Sequence, residues 1–155
     1  MDARETTHPD TDAQAVAEAC ARAMWADDRA SQGLGMRIER IAPGEAIVSM
    51  TVRRDMTNGH GICHGGFIFT LADTAMAFAA NTHDQRTVAQ HCTVTFLQPV
   101  HEGETLTAHA LERMRAGRGG IYDITVRDSR GAVVAEFRGH SRTISGRLLA
   151  ADGPR

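Results

Sequence analysis

The sequence predicts an α+β protein in which an antiparallel sheet curls around one central apolar helix, and three observations carry that expectation. The first is the run from Phe67 to Ala80, where nearly every residue is apolar or small and neither Gly nor Pro interrupts. A segment that is hydrophobic all round belongs inside a domain, and at about 1.5 Å per residue this one reaches only ~21 Å, too short for a membrane span. The second is the succession of β-rich stretches that follows it. The third is the shortness of the turns between those stretches, because parallel strands need crossovers of a dozen or more residues.

In order, residues 1 to 10 read as a disordered tail. From Thr11 or Asp12 to about Ala30, TDAQAVAEACARAMWADDRA sets Val16, Cys20, Met24 and Trp25 at helical spacing, an amphipathic surface helix capped by Thr11 or Asp12. Ser31 to Gly35 ends it. GMRIERIAPGEAIVSMTVRR then alternates, with Met36, Ile38 and Ile41 before a turn at Ala42-Pro43-Gly44 and Ile47 to Val52 after it, which is a hairpin. A glycine-rich loop from Asn58 leads into the apolar helix. Beyond it come Thr87 to Val100, closed by Pro99; Glu104 to Met114; and Gly120 to Asp128, which turns at Ser129-Arg130-Gly131 into AVVAEFRGHSRTI. There is no repeat, no low-complexity linker and no second domain. One domain over residues 11–145 is expected, then a polar, flexible tail over 146–155. One chain covers only one face of such a sheet well, so self-association is expected too.

At 155 residues the chain is long enough to bury roughly 70% of the surface its unfolded form exposes, and it needs neither metal nor disulfide to fold. Its net charge of -2 advertises no basic field for nucleic acid or anionic lipid, although all 17 basic residues are Arg. Cys20, Cys63 and Cys92 are odd in number and lack a C-x-x-C spacing, which reads as reduced thiols. The opening MDARETTHPDTD is acidic and polar where a signal peptide is basic and then apolar. These features place the protein in the cytoplasm, with no membrane and no nucleic-acid partner.

Asp73 sits in the middle of the apolar helix, where a lone carboxylate is costly unless it is paired or serves a site. At the front of that helix Gly65 and Gly66 follow His64. The first N–H groups of a helix lack an internal acceptor and carry partial positive charge, so glycines there let a ligand oxygen approach closely, as in an oxyanion hole. Gly65 and Asp73 are eight residues apart, about 12 Å along one helix axis, so no small reacting group touches both. If both serve one reaction, the carboxylate comes from a second copy, and a two-fold dimer with two composite sites follows.

Asn58 ahead of His64-Gly65-Gly66, Leu71-Ala72-Asp73-Thr74-Ala75 in the helix, Thr95-Phe96-Leu97-Gln98-Pro99, Gly120-Ile121-Tyr122-Asp123-Ile124 and Phe137-Arg138-Gly139 together resemble the hotdog-fold thioesterases, specifically the PaaI type of phenylacetic acid degradation. The resemblance spans most of residues 30 to 145. It implies a sheet wrapped around a central helix, dimers joined edge to edge and often paired into tetramers, and hydrolysis of acyl-CoA thioesters with no cofactor beyond the CoA of the substrate. It makes Asp73 the general base or nucleophile and Gly65 N–H the donor to the thioester oxygen, with Asn58 and His64 ordering the pocket. Some relatives hold the attacking water with a Ser or Thr on the strand after the helix; here that position is Ala89, beside Gln90 and His91.

Each residue has a plainer reading. Asp73 taken alone reads first as a structural carboxylate tied to a neighbouring backbone group or Arg, and the HGG at the start of its helix tips it toward catalysis. Asn58-Gly59 is also a turn dipeptide, and His64 is more simply a brace than a proton donor. Thr70, Thr74 and Phe67 either line the acyl pocket or belong to the core. Cys63 with His60 and His64 lacks the second ligand pair of a closed zinc site, so no metal is assigned. Arg138, His140 and Arg142 alternate onto one side of their strand and form, with Gly66 and Thr74, the expected substrate contacts, the basic trio facing the CoA phosphates. The expected activity is hydrolysis of phenylacetyl-CoA or hydroxyphenylacetyl-CoA, with a medium-chain acyl-CoA thioesterase and a non-catalytic acyl-CoA sensor as the alternatives.

Overall fold

The computed structural model describes residues 9–149, with side chains from Asp12 onward. Two helices open it, α1 (Pro9–Asp27) and α2 (Arg29–Gly33), where the sequence suggests one. The break falls at Asp28, whose carboxylate accepts from Ser31 N–H at 3.0 Å and caps the second helix. Since α1 begins at Pro9, the expected cap at Thr11 or Asp12 and the end of the expected tail fall inside the helix; positions 1–8 of that tail lie outside the described residues.

The hairpin is β1 (Arg37–Ala42) and β2 (Glu45–Thr51). It turns through Gly44 at φ +70, a backbone conformation that costs glycine little. The central helix α3 (Gly65–Ala80) is followed by β3 (Thr87–Phe96), β4 (Thr105–Ala116), β5 (Gly119–Arg127) and β6 (Val133–Thr143). All six strands form one antiparallel sheet in the order β1-β2-β4-β5-β6-β3. The chain thus crosses through α3 from β2 to the far border, and β3 is left as an edge strand.

α3 packs against every strand of the sheet. Leu71, Ala72, Ala75 and Ala79 are fully buried, and so are Ala46, Val48, Leu106, Ala108, Ala110, Ile124 and Val126 on the strands. Small residues on both surfaces let the helix axis approach closely. Gly139 on β6 shows how closely: a Cβ there would lie 2.0 Å from Met76 Sδ.

The two ends of α3 are tied down differently. At its C-terminus Asn81 donates to Ala77 O (2.8 Å) and Thr87 O (2.9 Å) and accepts from Thr87 N–H (3.0 Å), which fixes where β3 begins. Just beyond, buried Asp84 adopts φ 54 and accepts from Leu148 N–H, Leu149 N–H and Arg147 Nε. The segment expected to be flexible from 146 is therefore anchored through residue 149; positions 150–155 lie outside the described residues. At the N-terminus the loop is pinned by Cys63 N–H to Val100 O (2.7 Å) and His64 N–H to Met56 O (2.8 Å).

Candidate active site

The head of α3 is built by His64. Its Nδ1 accepts from Gly66 N–H at 2.9 Å, and its carbonyl accepts from Phe67 N–H at 3.0 Å. A Cβ on Gly66 would press on the His64 ring at 3.1 Å, so this cap favours glycine at that position. Gly65 N–H, by contrast, donates to nothing among the described residues. Of the donors at this helix start it is the one left open, where the helix dipole adds partial positive charge.

Gly65 borders a cleft of about 460 Å³ that is walled by Ile62, Ile68, Phe96, Leu97 and Val100, with Asn58 at its rim. Asn58 Oδ1 accepts from His60 N–H (2.9 Å) and Ile62 N–H (3.4 Å), so the residue shapes the turn and also lines the cleft. Phe96 and Leu97 stand in the sequence only as letters of the family motif, with no role of their own. The available signal was two large apolar residues at a strand end just before Pro99, where exposure is unusual.

Asp73 lies on the same helix, about 12 Å further along. Among the described residues it has no hydrogen-bond or ion-pair partner, and burial pushes its carboxyl above the ordinary value of 3.8. It belongs to a stripe of Gly66, Thr70, Asp73 and Ala77 that the chain's own sheet covers only in part. Helical spacing puts these four on one face, next to the edge strand. Cys92 of β3 marks the place, because its thiol is raised first by burial and then by the nearby Asp73 carboxylate.

The remaining expected contacts divide. Thr74 is turned into the core, buried with its hydroxyl 3.3 Å from that of Ser31, because it shares the helix face of Leu71 and Phe78 rather than that of Asp73. Gly66 stays exposed but its N–H is taken by His64. Arg138, His140 and Arg142 do share one side of β6, on the face of the sheet turned away from α3. Within one chain they do not meet Gly65. Arg138 is forked onto Asp123 at 2.6 and 2.8 Å, which holds that carboxyl below its ordinary value. Among the described residues no three His, Cys, Asp or Glu side chains converge as metal ligands, and the three cysteines are free.

Residues 60–135 match the family model of the thioesterase superfamily. The acyl-coenzyme A thioesterase PaaI of Escherichia coli is 44% identical over 128 residues, which cover 83% of this chain and 91% of that one. The chain belongs to the thioesterase superfamily. This thioesterase is also 34% identical over 116 residues to a putative esterase of Archaeoglobus fulgidus, covering 75% of each. The solved structure of the E. coli PaaI protein of the phenylacetic acid degradation operon superposes with a TM-score of 0.85 at 42% identity, over 86% of this chain and 97% of that one. A single-residue mutant of the phenylacetic acid degradation protein PaaI from Thermus thermophilus gives 0.73 at 36% identity, over 76% and 100%. The thioesterase has the hotdog fold, its six-stranded sheet wrapped on α3, and it is a thioester hydrolase. No helix among its described residues is long and apolar enough to cross a membrane.

Proposed function

We propose that this thioesterase hydrolyses acyl-CoA, with phenylacetyl-CoA and hydroxyphenylacetyl-CoA as its preferred substrates, and that it works as a homodimer with two shared active sites, paired into a tetramer. The observation that carries the reading is an open N–H and an unpartnered acid about 12 Å apart on one helix, the first beside Phe96 and the second near Cys92 of the edge strand β3. Neither group finds a counterpart among the described residues of its own chain. The preference for arylacetyl groups rests on the apolar cleft at Gly65 and on 44% identity to the E. coli acyl-CoA thioesterase PaaI.

Phe96 lies at Gly65 and Cys92 lies near Asp73. Four residues of strand span about 14 Å, nearly the same as the helix separation. Antiparallel pairing of β3 with its own copy, with Val94 on the two-fold axis and Cys92 opposite Phe96, therefore brings the acid of each chain to the donor of the other.

In such a site the thioester carbonyl accepts from Gly65 N–H, whose helix dipole stabilises the oxyanion as it forms. Asp73 of the second copy takes a proton from water while the water oxygen bonds to the carbonyl carbon. Collapse of the tetrahedral intermediate breaks the C–S bond and returns the proton to the CoA thiolate. If Asp73 attacks instead, its carboxylate oxygen bonds to the carbonyl carbon, the C–S bond breaks and CoA leaves as the thiolate; water then opens the resulting anhydride to the free acid and the Asp73 carboxylate, and its released proton goes to the thiolate. His64 braces the helix start, Asn58 shapes the loop, and no cofactor enters beyond CoA. We assign the CoA phosphates to His140 and Arg142, since Asp123 already occupies Arg138. The Arg142 guanidinium has no hydrogen-bond or ion-pair partner among the described residues. A cytoplasmic setting suits three free cysteines.

The test mixes two inactive variants, Asp73→Asn and Gly65→Val, after joint unfolding and refolding. Only a mixed dimer holds one intact site, so release of free thiol from phenylacetyl-CoA should return to about a quarter of the wild-type rate. A mixture as inactive as its parents would reject the shared site. A panel extended to medium-chain acyl-CoA tests the acyl preference separately.

A further inference from the structure

Phe96 is the last residue of β3, and its side chain is 48% exposed even though it rests on the head of α3. Three of its ring carbons lie 2.8, 3.1 and 3.2 Å from the point where a Cβ on Gly65 would sit. Gly65 does not have a positive φ, so its backbone accepts an L side chain without strain. The nearest obstacle is the Phe96 ring. The glycine that carries the open N–H and the aromatic ring packed where its side chain would stand are thus a matched pair, far apart in sequence and joined by the crossover that returns β3 alongside α3.

We infer that Phe96 is the positioning residue of the Gly65 donor: its ring keeps bulk water from that side of the N–H and sets the direction from which the thioester carbonyl enters the cleft. The inference rests on the thioesterase reading above. A hydrogen bond to a developing oxyanion gains strength where water is excluded, and an apolar ring excludes water without offering a competing acceptor. Leu97 beside it is 53% exposed and continues the same wall. Its N–H is fixed to Val134 O at 2.9 Å, which holds this strand end in register with β6. The ring walls the cleft and also shields the donor where the oxyanion forms, so its removal lowers kcat by a larger factor than it raises KM.

The experiment is a double-mutant cycle with Gly65→Ala and Phe96→Ala, with Phe96→Tyr as the conservative variant and size-exclusion elution as the control for assembly. Any acyl-CoA that the wild type turns over is the substrate. Phe96→Ala should lower kcat on the order of 10-fold and raise KM by a smaller factor, whereas Phe96→Tyr stays near wild type in both. Gly65→Ala should lose on the order of 100-fold, because its methyl displaces the ring. The double variant should recover activity above Gly65→Ala, since the space has been vacated. Unchanged kcat in Phe96→Ala with an active wild type, or a double variant at the product of the two single losses, overturns this inference and leaves the proposed function standing. A wild type that turns over no acyl-CoA overturns both.

Discussion

Two carboxylates near the same helix show opposite designs. Asp84, just past the end of α3, is 4% exposed and is surrounded by donors: the backbone N–H groups of Leu148 and Leu149 and the guanidinium of Arg147. Burial alone would raise its pKa, but the Leu149 N–H and Arg147 outweigh it, and the carboxyl ends below its ordinary value. Asp73, halfway along α3, is half-buried with no partner among the described residues of its own chain, and its pKa moves the other way. A fold that satisfies its structural acid so thoroughly leaves the other unsatisfied where a second chain and a substrate are to arrive.

The sharpest break between the two is expected on exchange for the amide. Asp73→Asn should cost on the order of 1000-fold or more in thioester turnover while the protein melts no lower than wild type. Asp84→Asn should do the reverse, keeping turnover per folded molecule but losing about 2–4 kcal/mol in denaturant unfolding, because a buried set of donors loses its charged acceptor. An active Asp73→Asn, or a stable Asp84→Asn, would erase the distinction.

Next in size is Gly139→Ala. The added methyl meets the Sδ and Cε end of buried Met76, which must swing into an already filled core, at about 1–3 kcal/mol by chemical denaturation.

The smallest expected effect is the dependence on pH, and its sign differs between the acids. Asp73 has its folded pKa above 3.8, so its protonated form is the stabilising one; that contribution is present at low pH and is lost as pH rises through the raised value. Asp73→Asn should therefore match or exceed the wild-type Tm at about pH 7, with the difference closing as pH falls. Asp84 has its folded pKa below 3.8, so its contribution is present above 3.8 and is lost as pH falls through the depressed value. The Asp84→Asn deficit should be full at about pH 7 and should shrink only in strong acid. Turnover should show an acidic limb displaced upward from the ordinary value of 3.8 as Asp73 takes up its proton.

Which parts of this were legible in the residues follows from how local their causes are. α3 begins at Gly65, within the predicted glycine-led start, and ends at Ala80, because backbone freedom and apolarity are written in adjacent letters. The hairpin about Gly44 is local in the same way. The place of β3 at the sheet border is not, since its alternation is the same whether β6 flanks it on one side or strands flank it on both. Asp28 as a helix start could have been read from its spacing to Ser31, and Thr74 as a core residue from its phase with Leu71 and Phe78. Asp84 could not, because its partners lie far along the chain, at Leu148 and Leu149. The contact of Phe96 with Gly65 was hidden for a similar reason: each residue is ordinary alone, and only the crossover makes them neighbours.

Because a single rod carries both the open donor and the lone acid, its winding sets the catalytic phase. One residue inserted between Gly65 and Asp73 would swing the acid by about 100° around the axis, off the partly covered stripe and toward the crowded side that Leu71 and Ala75 occupy. Exchanging one apolar letter of this helix for another keeps that phase, and changing its length does not.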